Sequence, residues 1–500
     1  RGPHREGLAY RATPGLSPVK LWLFNTLGRR LQEFDSLVPG RVGMYCCGPT
    51  VYHDAHIGNL RTYVNEDFLR RTLEYAGYRV NHVVNITDVG HLTSDADEGD
   101  DKMEKGAARE GRTVWEIAEH YTRLFLGDWD RLNLLQPTHW PRATDYISQQ
   151  IALVRELEER GFTYRTADGI YFDTGKFPRY GDFAGIRMDQ LLAGARVDVG
   201  EKRHPTDFAL WKNSPAGSRR AMEWESPWGT GFPGWHVECS AMATALIGRT
   251  LDIHCGGTDH IRVHHTNEIA QSECAHDGQI LARYWIHNEF LKTESDGKMS
   301  KSSGEFLTLQ LLVDRGFHPL DFRWFCATAH YRKFLTFSWA NMEASRDAHR
   351  AFRRRAAGLV AAWNAVRAGE LDAPHVESAA EKAWRDRFEE AVGQDVNVPK
   401  SLGVAQSLSR DVSLPESDRG RILADWDRIL GLELSETIPD PPPPGADAEL
   451  SEWVLAKLAE RDAARSRKDW EASDRIRAEL ADRKVVVKDT AQGAVWSVSG

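Results

Sequence analysis

The sequence predicts an α/β fold: a parallel-sheet domain carrying an inserted lobe, then a helical bundle and a small C-terminal module. Three observations predict it. Strand-like and helix-like patterns alternate between Lys20 and Thr87, and the alternation returns at "TLDIHCGG", Thr250 to Gly257, after a long irregular middle. Beyond about residue 340 the chain turns Ala-, Arg- and Leu-rich with helical periodicity, until a Pro-rich break.

Residues 1 to 19 form an extension outside this pattern, and the first twenty hold no apolar run followed by a small-residue cleavage site, so they do not read as a secretory signal. "RVGMYCCG" reads as a strand entering a turn. In "GNLRTYVNEDFLRRTLEYAG", Leu60, Val64 and Phe68 recur every four residues, Leu69, Leu73 and Ala76 widen the stripe, and Gly77 is the expected stop. "RVNHVVNIT" is β-branched and supplies the next strand, completing a βαβ unit and hence a parallel pair. The parallel-sheet domain is expected over 20–340, with an insertion at about 114–226 and a Gly-bracketed loop at 297–304. A helical domain (341–437), a Pro-rich linker (438–448) and a terminal module (449–500) follow; "IPDPPPPGAD" is a stretch no helix crosses.

Composition narrows the class. Five hundred residues with a net charge of −9 suit a multi-domain globular chain, and no run is apolar enough to span a membrane. Six dispersed cysteines form no disulfide framework, which suits a reducing, cytoplasmic address and leaves thiolates available to a metal. The basic run "HRAFRRR", His349 to Arg355, reads first as a solvated helix face. The acidic run Ser94 to Gly106 fails the EF-hand spacing, because Gly99 falls at position five and Gly106 where the bidentate Glu belongs, and is expected to be a solvated mobile loop.

Two short motifs carry phosphate chemistry. "HIGN", His56 to Asn59, falls where the strand-turn becomes a helix, so unsatisfied N–H groups and the helix dipole favour an anion, and Gly58 allows close approach to the backbone. "KMSKS", Lys298 to Ser302, places two ammonium groups and hydroxyls on a loop able to close on a triphosphate. In "VHHTNEIAQ", His264 and Glu268 stand four apart on one helix face and form a two-ligand hint, while His265 is turned about 100° away and is expected behind them. Cys46 and Cys47 alternate faces at a strand end, so one site is not expected to use both.

HIGN followed by KMSKS about 240 residues later resembles the class I aminoacyl-tRNA synthetases. "GMYCCGPTVYHDAHIGN", "NITDVG", "GFPGWHVECSAM", "DIHCGGTDHIRVHHTNEIAQSECAHDG" and "RKDWEASDRIR" resemble, within that class, the cysteinyl-tRNA synthetase family. The resemblance implies a Rossmann-type catalytic domain and a C-terminal anticodon-binding module. It implies one zinc ion per chain on Cys47, Cys239, His264 and Glu268, with Cys46 left as a core thiol. It further implies ATP and catalytic positions at His56, Gly58, Asn59, Lys298 and Lys301, an amino-acid pocket at Gly48, Thr50, Thr87, Trp235 and His254, and anticodon contacts at Arg465, Trp470, Asp474, Arg477 and Asp489. The expected activity is ligation of L-cysteine to cysteine tRNA with Mg²⁺-bound ATP, by a monomer. Zinc prefers thiolate to hydroxyl, so it would reject serine without an editing domain, for which the insertion is short. Trp470 reads equally as a stacking or a packing residue. Thr266 stands where the family often has Glu, and Asn59 where many class members have His. Two alternatives are a mycothiol-pathway cysteine ligase, lacking the full C-terminal module, and a non-catalytic tRNA-binding paralogue, lacking one of the motifs.

Overall fold

A computed structural model describes residues 19–89, 101–185, 201–214, 220–293, 306–369, 375–436, 448–490 and 493–498. The KMSKS loop lies outside the described residues, as do nearly all of the N-terminal extension and the Pro-rich linker.

A hairpin, β1 (Trp22–Asn25) and β2 (Arg30–Glu33), precedes the expected unit: β3 (Arg41–Cys46), α1 (Ile57–Tyr75) and β4 (Arg79–Val84). α1 ends as its sequence requires, with Gly77 at a φ of +96°, a conformation that costs glycine least. Next come α2 (Lys102–Glu110), α3 (Val114–Arg131), α4 (Ile147–Glu159) and the strands β5 (Thr163–Thr166), β6 (Gly169–Phe172), β7 (Phe208–Asn213) and β8 (Gly231–Pro233). α5 (Trp235–Leu246), β9 (Leu251–Gly257), α6 (His264–Ala275) and β10 (Ala282–Asn288) complete the core. Its sheet has the order β10-β9-β3-β4 and is parallel throughout. The chain leaves β3 towards β4 on one side and later adds β9 on the other, so a crevice opens between the carboxyl ends of β3 and β9, where parallel sheets bind ligands.

β5 to β8 form a separate antiparallel sheet in sequential order. The inserted lobe has its own apolar cluster, in which Leu153, Phe172 and Trp211 meet Val237 of α5 and Ala270 of α6. Its start differs from the expected residue 114. α3 buries Ile117, Phe125 and Trp129 in the main core beside α1, and residues 139 and 142 bridge to 83 and 86 in parallel. The lobe's own packing begins near Ile147.

The acidic run also differs: its second half is helical. Asp101 caps α2 by accepting the Met103 and Glu104 N–H groups and pairs with Arg220, and Met103 is buried. Capping and one buried methionine order a stretch whose composition reads as solvated.

After the parallel pair β11 (Leu291–Thr293) and β12 (Leu335–Phe337), with α7 (Leu309–Asp314) and α8 (Pro319–Ala327) between them, the chain is helical: α9 (Trp339–Gly369), α10 (Ala379–Gly393), α11 (Val398–Leu408) and α12 (Glu416–Leu430). The basic run lies in α9 and is largely used internally: His349 binds Asp321 at 2.7 Å, and Arg350 and Arg353 donate to the Gly316 and Glu436 carbonyls. α1 is tied to this region by Asp67, whose carboxylate meets Arg71 at 2.7 Å and Arg323 of α8 at 2.6 Å. The terminal module, α13 (Ala448–Ser466), α14 (Trp470–Asp482) and the hairpin β13 (Val485–Thr490) and β14 (Gly493–Val498), closes on Val454, Leu458, Ile476 and Leu480.

Candidate active site

A cavity of about 420 Å³ occupies the crevice at the β3 and β9 carboxyl ends. Among the residues lining it are Cys47, Gly48, Thr50, His56, Asn59, Thr87, Trp235, Cys239 and His264.

At its floor four donors converge. Cys47 follows β3, Cys239 lies on α5, and His264 and Glu268 lie on α6; their ligand atoms all fall within 4.8 Å of one another. The sequence builds this by packing α5 on α6 through polar side chains: Gln271 donates to Ser240 Oγ at 2.7 Å and the His236 carbonyl at 2.6 Å, and His236 Nδ1 meets His264 Nδ1 at 3.0 Å. Glu268 is split between two tasks. Its Oε2 is held by His254 Nε2 at 3.1 Å, whereas Oε1, 3.0 Å from His264 Nε2, accepts no hydrogen bond despite full burial. An orphaned carboxylate oxygen beside an imidazole and two sulfurs suits a divalent thiophilic ion, so the donor set fits zinc.

Electrostatics agree with that fit. Burial pushes the Cys47 thiol up, while its hydrogen bond to Cys239 brings Cys239 down to about 7, with His264 contributing. Burial works against the charged form of His264, yet Glu268 and Cys239 carry it up to about 10. Burial likewise opposes the Glu268 carboxylate, but His254 and His264 hold it well below the usual range.

The ligand atoms of a second set, Cys47, His254, His265 and Glu268, also lie within 4.8 Å of one another. His265 thus comes closer than a 100° rotation suggests: its Nε2 is 3.4 Å from Cys47 Sγ, and its Nδ1 meets His287 Nε2 at 2.8 Å. The cavity separates the two sets, because Cys47, Cys239 and His264 line it, whereas His254 and His265 do not. His254 adjoins this site through its 3.1 Å contact with Glu268 Oε2. Thr266 turns its hydroxyl to the Ile261 carbonyl at 2.7 Å and fastens the turn before α6.

Asn85, first residue of "NITDVG", was not singled out by sequence reasoning, yet it organises one wall. It accepts the Gly48 N–H at 2.8 Å and donates to Thr87 Oγ1 at 3.0 Å, whose hydroxyl meets Glu238 at 3.2 Å. A Cβ on Gly48 would fall 1.5 Å from the Asn85 carbonyl oxygen, so this contact requires glycine.

At the other end of the cavity His56 caps α1, its Nδ1 accepting the Asn59 N–H at 3.1 Å. The Ile57 N–H donates to the Leu307 carbonyl, and those of Asn59 and Leu60 to the His56 carbonyl. Those three first-turn donors are therefore engaged, and the side chains of His56 and Asn59 face the cavity instead. Gly58 accommodates the His56 ring: a Cβ there would stand 2.9 Å from Nδ1.

In the terminal module, Asp489 takes a bidentate pair from Arg461 at 2.8 and 2.7 Å and a third contact from Arg465 at 3.1 Å. Arg461 was not anticipated. Its hydrogen bond, with the charges of Arg465 and Arg477, holds the Asp489 carboxyl down at about 2. Trp470 is 58 % exposed, and Asp474 and Arg477 are exposed on the same helix.

Known proteins share this architecture. Residues 33–347 match the family described as tRNA synthetases class I (C) catalytic domain, and 447–496 match the cysteinyl-tRNA ligase anticodon binding domain. Methionyl-tRNA synthetase of Mycobacterium tuberculosis, solved with methionyl-adenylate, shares the fold at a TM-score of 0.54 and 15 % identity, covering 78 % of this chain and 90 % of that one. The fold is that of a class I aminoacyl-tRNA synthetase. Cysteine–tRNA ligase 1 of Burkholderia lata is 50 % identical over 95 % of this chain and 96 % of its own length, and the cysteine–tRNA ligase of Treponema denticola 42 % identical over 96 % and 99 %. This chain belongs to the cysteine–tRNA ligase family. Among the described residues no helix is long and apolar enough to cross a membrane.

Proposed function

We propose that the chain charges cysteine tRNA with L-cysteine in two steps within this cavity. In the first, the cysteine carboxylate attacks the α-phosphate of Mg²⁺-bound ATP, the bond to the β-phosphate oxygen breaks, and pyrophosphate leaves. In the second, the terminal adenosine hydroxyl of the tRNA attacks the activated carbonyl and AMP leaves. Neither step needs a side-chain nucleophile; positioning and charge stabilisation carry the rate.

Cys47, Cys239, His264 and Glu268 would hold zinc, which when bound supplies a preference for thiolate over hydroxyl and so discriminates cysteine from serine. The observation carrying this reading is that three of these four donors open on the cavity, against Cys47 alone of the competing set, so a substrate thiol can reach them. His254 orients Glu268, Trp235 and Thr87 bound the amino-acid side, and Gly48 presses the Cys47 turn onto Asn85. His56 and Asn59 meet the phosphates, with Lys298 and Lys301 closing over them. The terminal module reads the anticodon through Trp470 stacking and through Arg465, Asp474, Arg477 and Asp489. That module weighs against an amino-sugar ligase. Six free, buried cysteines suit the reducing cytoplasm.

The test is ATP–pyrophosphate exchange with cysteine against serine, followed by charging of cysteine tRNA. Cysteine-dependent exchange at least about 10⁴-fold above serine is expected, and absence of exchange or charging refutes the proposal. Lys301→Ala should abolish most exchange and leave zinc content intact; retained exchange removes Lys301 from its role.

A further inference from the structure

Strand β3 ends at Cys46 and Cys47 follows it; the two side chains take opposite sides, and of the pair only Cys47 lines the cavity. Cys46 faces α1. Its sulfur, the Cys255 sulfur and a Glu66 carboxylate oxygen lie within 4.8 Å of one another, all buried. Three elements supply them: Cys46 and Cys255 are register partners on adjacent parallel strands, and Glu66 descends from α1, which covers that face.

Glu66 is the anomaly. It is 1 % exposed within an apolar cluster that includes Val64, Leu69 and Ile286, and no N–H or O–H group reaches either oxygen, which leaves the Cys46 thiol as its hydrogen-bond partner. A carboxyl group so placed needs a cation or a proton: burial pushes it up to about 8, although the hydrogen bond with the Cys46 thiol draws it down. No Lys or Arg bridges to it among the described residues, whereas Asp67, the next residue, meets Arg71 and Arg323. A void of about 10 Å³ bordered by Asn65, Glu66, Asn288 and Tyr331 lies alongside, room for about one water. The Asn65 side-chain amide that borders it also lacks a partner.

We propose that Cys46, Cys255 and Glu66 bind a second zinc ion, on the face of the sheet opposite the cavity. Two sulfurs and one carboxylate are a borderline-soft donor set suited to zinc rather than to magnesium or calcium. Binding displaces the protons of the three groups and clamps α1, β3 and β9 together, the elements that present His56, Cys47 and the crevice edge.

The test is zinc stoichiometry of the full-length protein by mass spectrometry of the metal after reconstitution with zinc and gel filtration. Two equivalents per chain are expected in the wild type, and one each in Cys255→Ser, in the near-isosteric Glu66→Gln and in Cys239→Ser. Cobalt(II) loading adds a spectroscopic readout: the sulfur-to-cobalt charge-transfer band should fall by about half in Cys255→Ser, since each site contributes two thiolates. A wild-type value of one equivalent, lost in Cys239→Ser, overturns this site and spares the active-site reading; a value of zero overturns both. A second equivalent that survives Cys255→Ser and Glu66→Gln is adventitious and also overturns it. The wild-type measurement decides even if a variant fails to fold.

Discussion

Asp67→Asn tests how the catalytic sheet is joined to the helical region. One buried carboxylate serves two guanidinium groups there. Oδ2 lies 2.6 Å from Arg323 and 2.7 Å from Arg71, and Oδ1 accepts the Leu135 N–H at 2.8 Å. Both arginines also hold carbonyls, Arg323 that of Leu430 and Arg71 those of Arg428 and Asn133, so they stay in place when the charge is removed. Breaking a buried pair from one side costs about 3–5 kcal/mol, because the remaining charges are uncompensated. Linkage gives an independent lower figure. Burial opposes ionisation of Asp67, but Arg71 and Arg323 hold it down at about 2 against the ordinary 3.8, which corresponds to roughly 2 kcal/mol. The folded-state value is depressed, so this stability is fully present above about pH 4 and is lost as pH falls through about 2. Urea unfolding followed by tryptophan fluorescence should show Asp67→Asn destabilised by about 3 kcal/mol or more at pH 7, with the deficit shrinking below pH 4. A variant within about 1 kcal/mol of wild type at pH 7, or a deficit indifferent to acid, would refute the account.

Three further outcomes follow from the site. His254→Ala removes the hydrogen bond that orients Glu268, and zinc affinity measured against a competing chelator should fall by about 10- to 100-fold; unchanged affinity would mean Glu268 is held otherwise. Gly58→Ala drives a methyl group into the His56 ring, so the KM for ATP should rise in pyrophosphate exchange, and an unaltered value would show that the ring has room to turn. Trp470→Ala should lower kcat/KM for tRNA charging by roughly 1–3 kcal/mol while exchange persists, and charging at the wild-type rate would remove Trp470 from recognition.

Local chemistry made the βαβ unit legible: β-branched runs marked β3 and β4, and the stripe from Leu60 to Leu73 with Gly77 behind it marked α1. Spacing found His264 and Glu268 for the same reason, since both lie on one helix. Nothing local joins them to Cys47 and Cys239, which arrive from a strand end and another helix; that pairing came from resemblance. Alternation along β9 could not say whether His254 faces substrate or Glu268, because burial on both faces leaves the period mute. The lobe boundary was misread because the apolar stripe of α3 packs on α1 rather than on the lobe. Composition also hid α2, whose order rests on one capping aspartate and one methionine.

The cap of α1 carries a consequence for proton placement. Since Nδ1 of His56 accepts the Asn59 N–H, that nitrogen has no hydrogen of its own, and the ring hydrogen sits on Nε2. The imidazole can therefore donate to a phosphate oxygen through Nε2 while Nδ1 holds the helix cap. The helix backbone selects which edge of His56 is the donor.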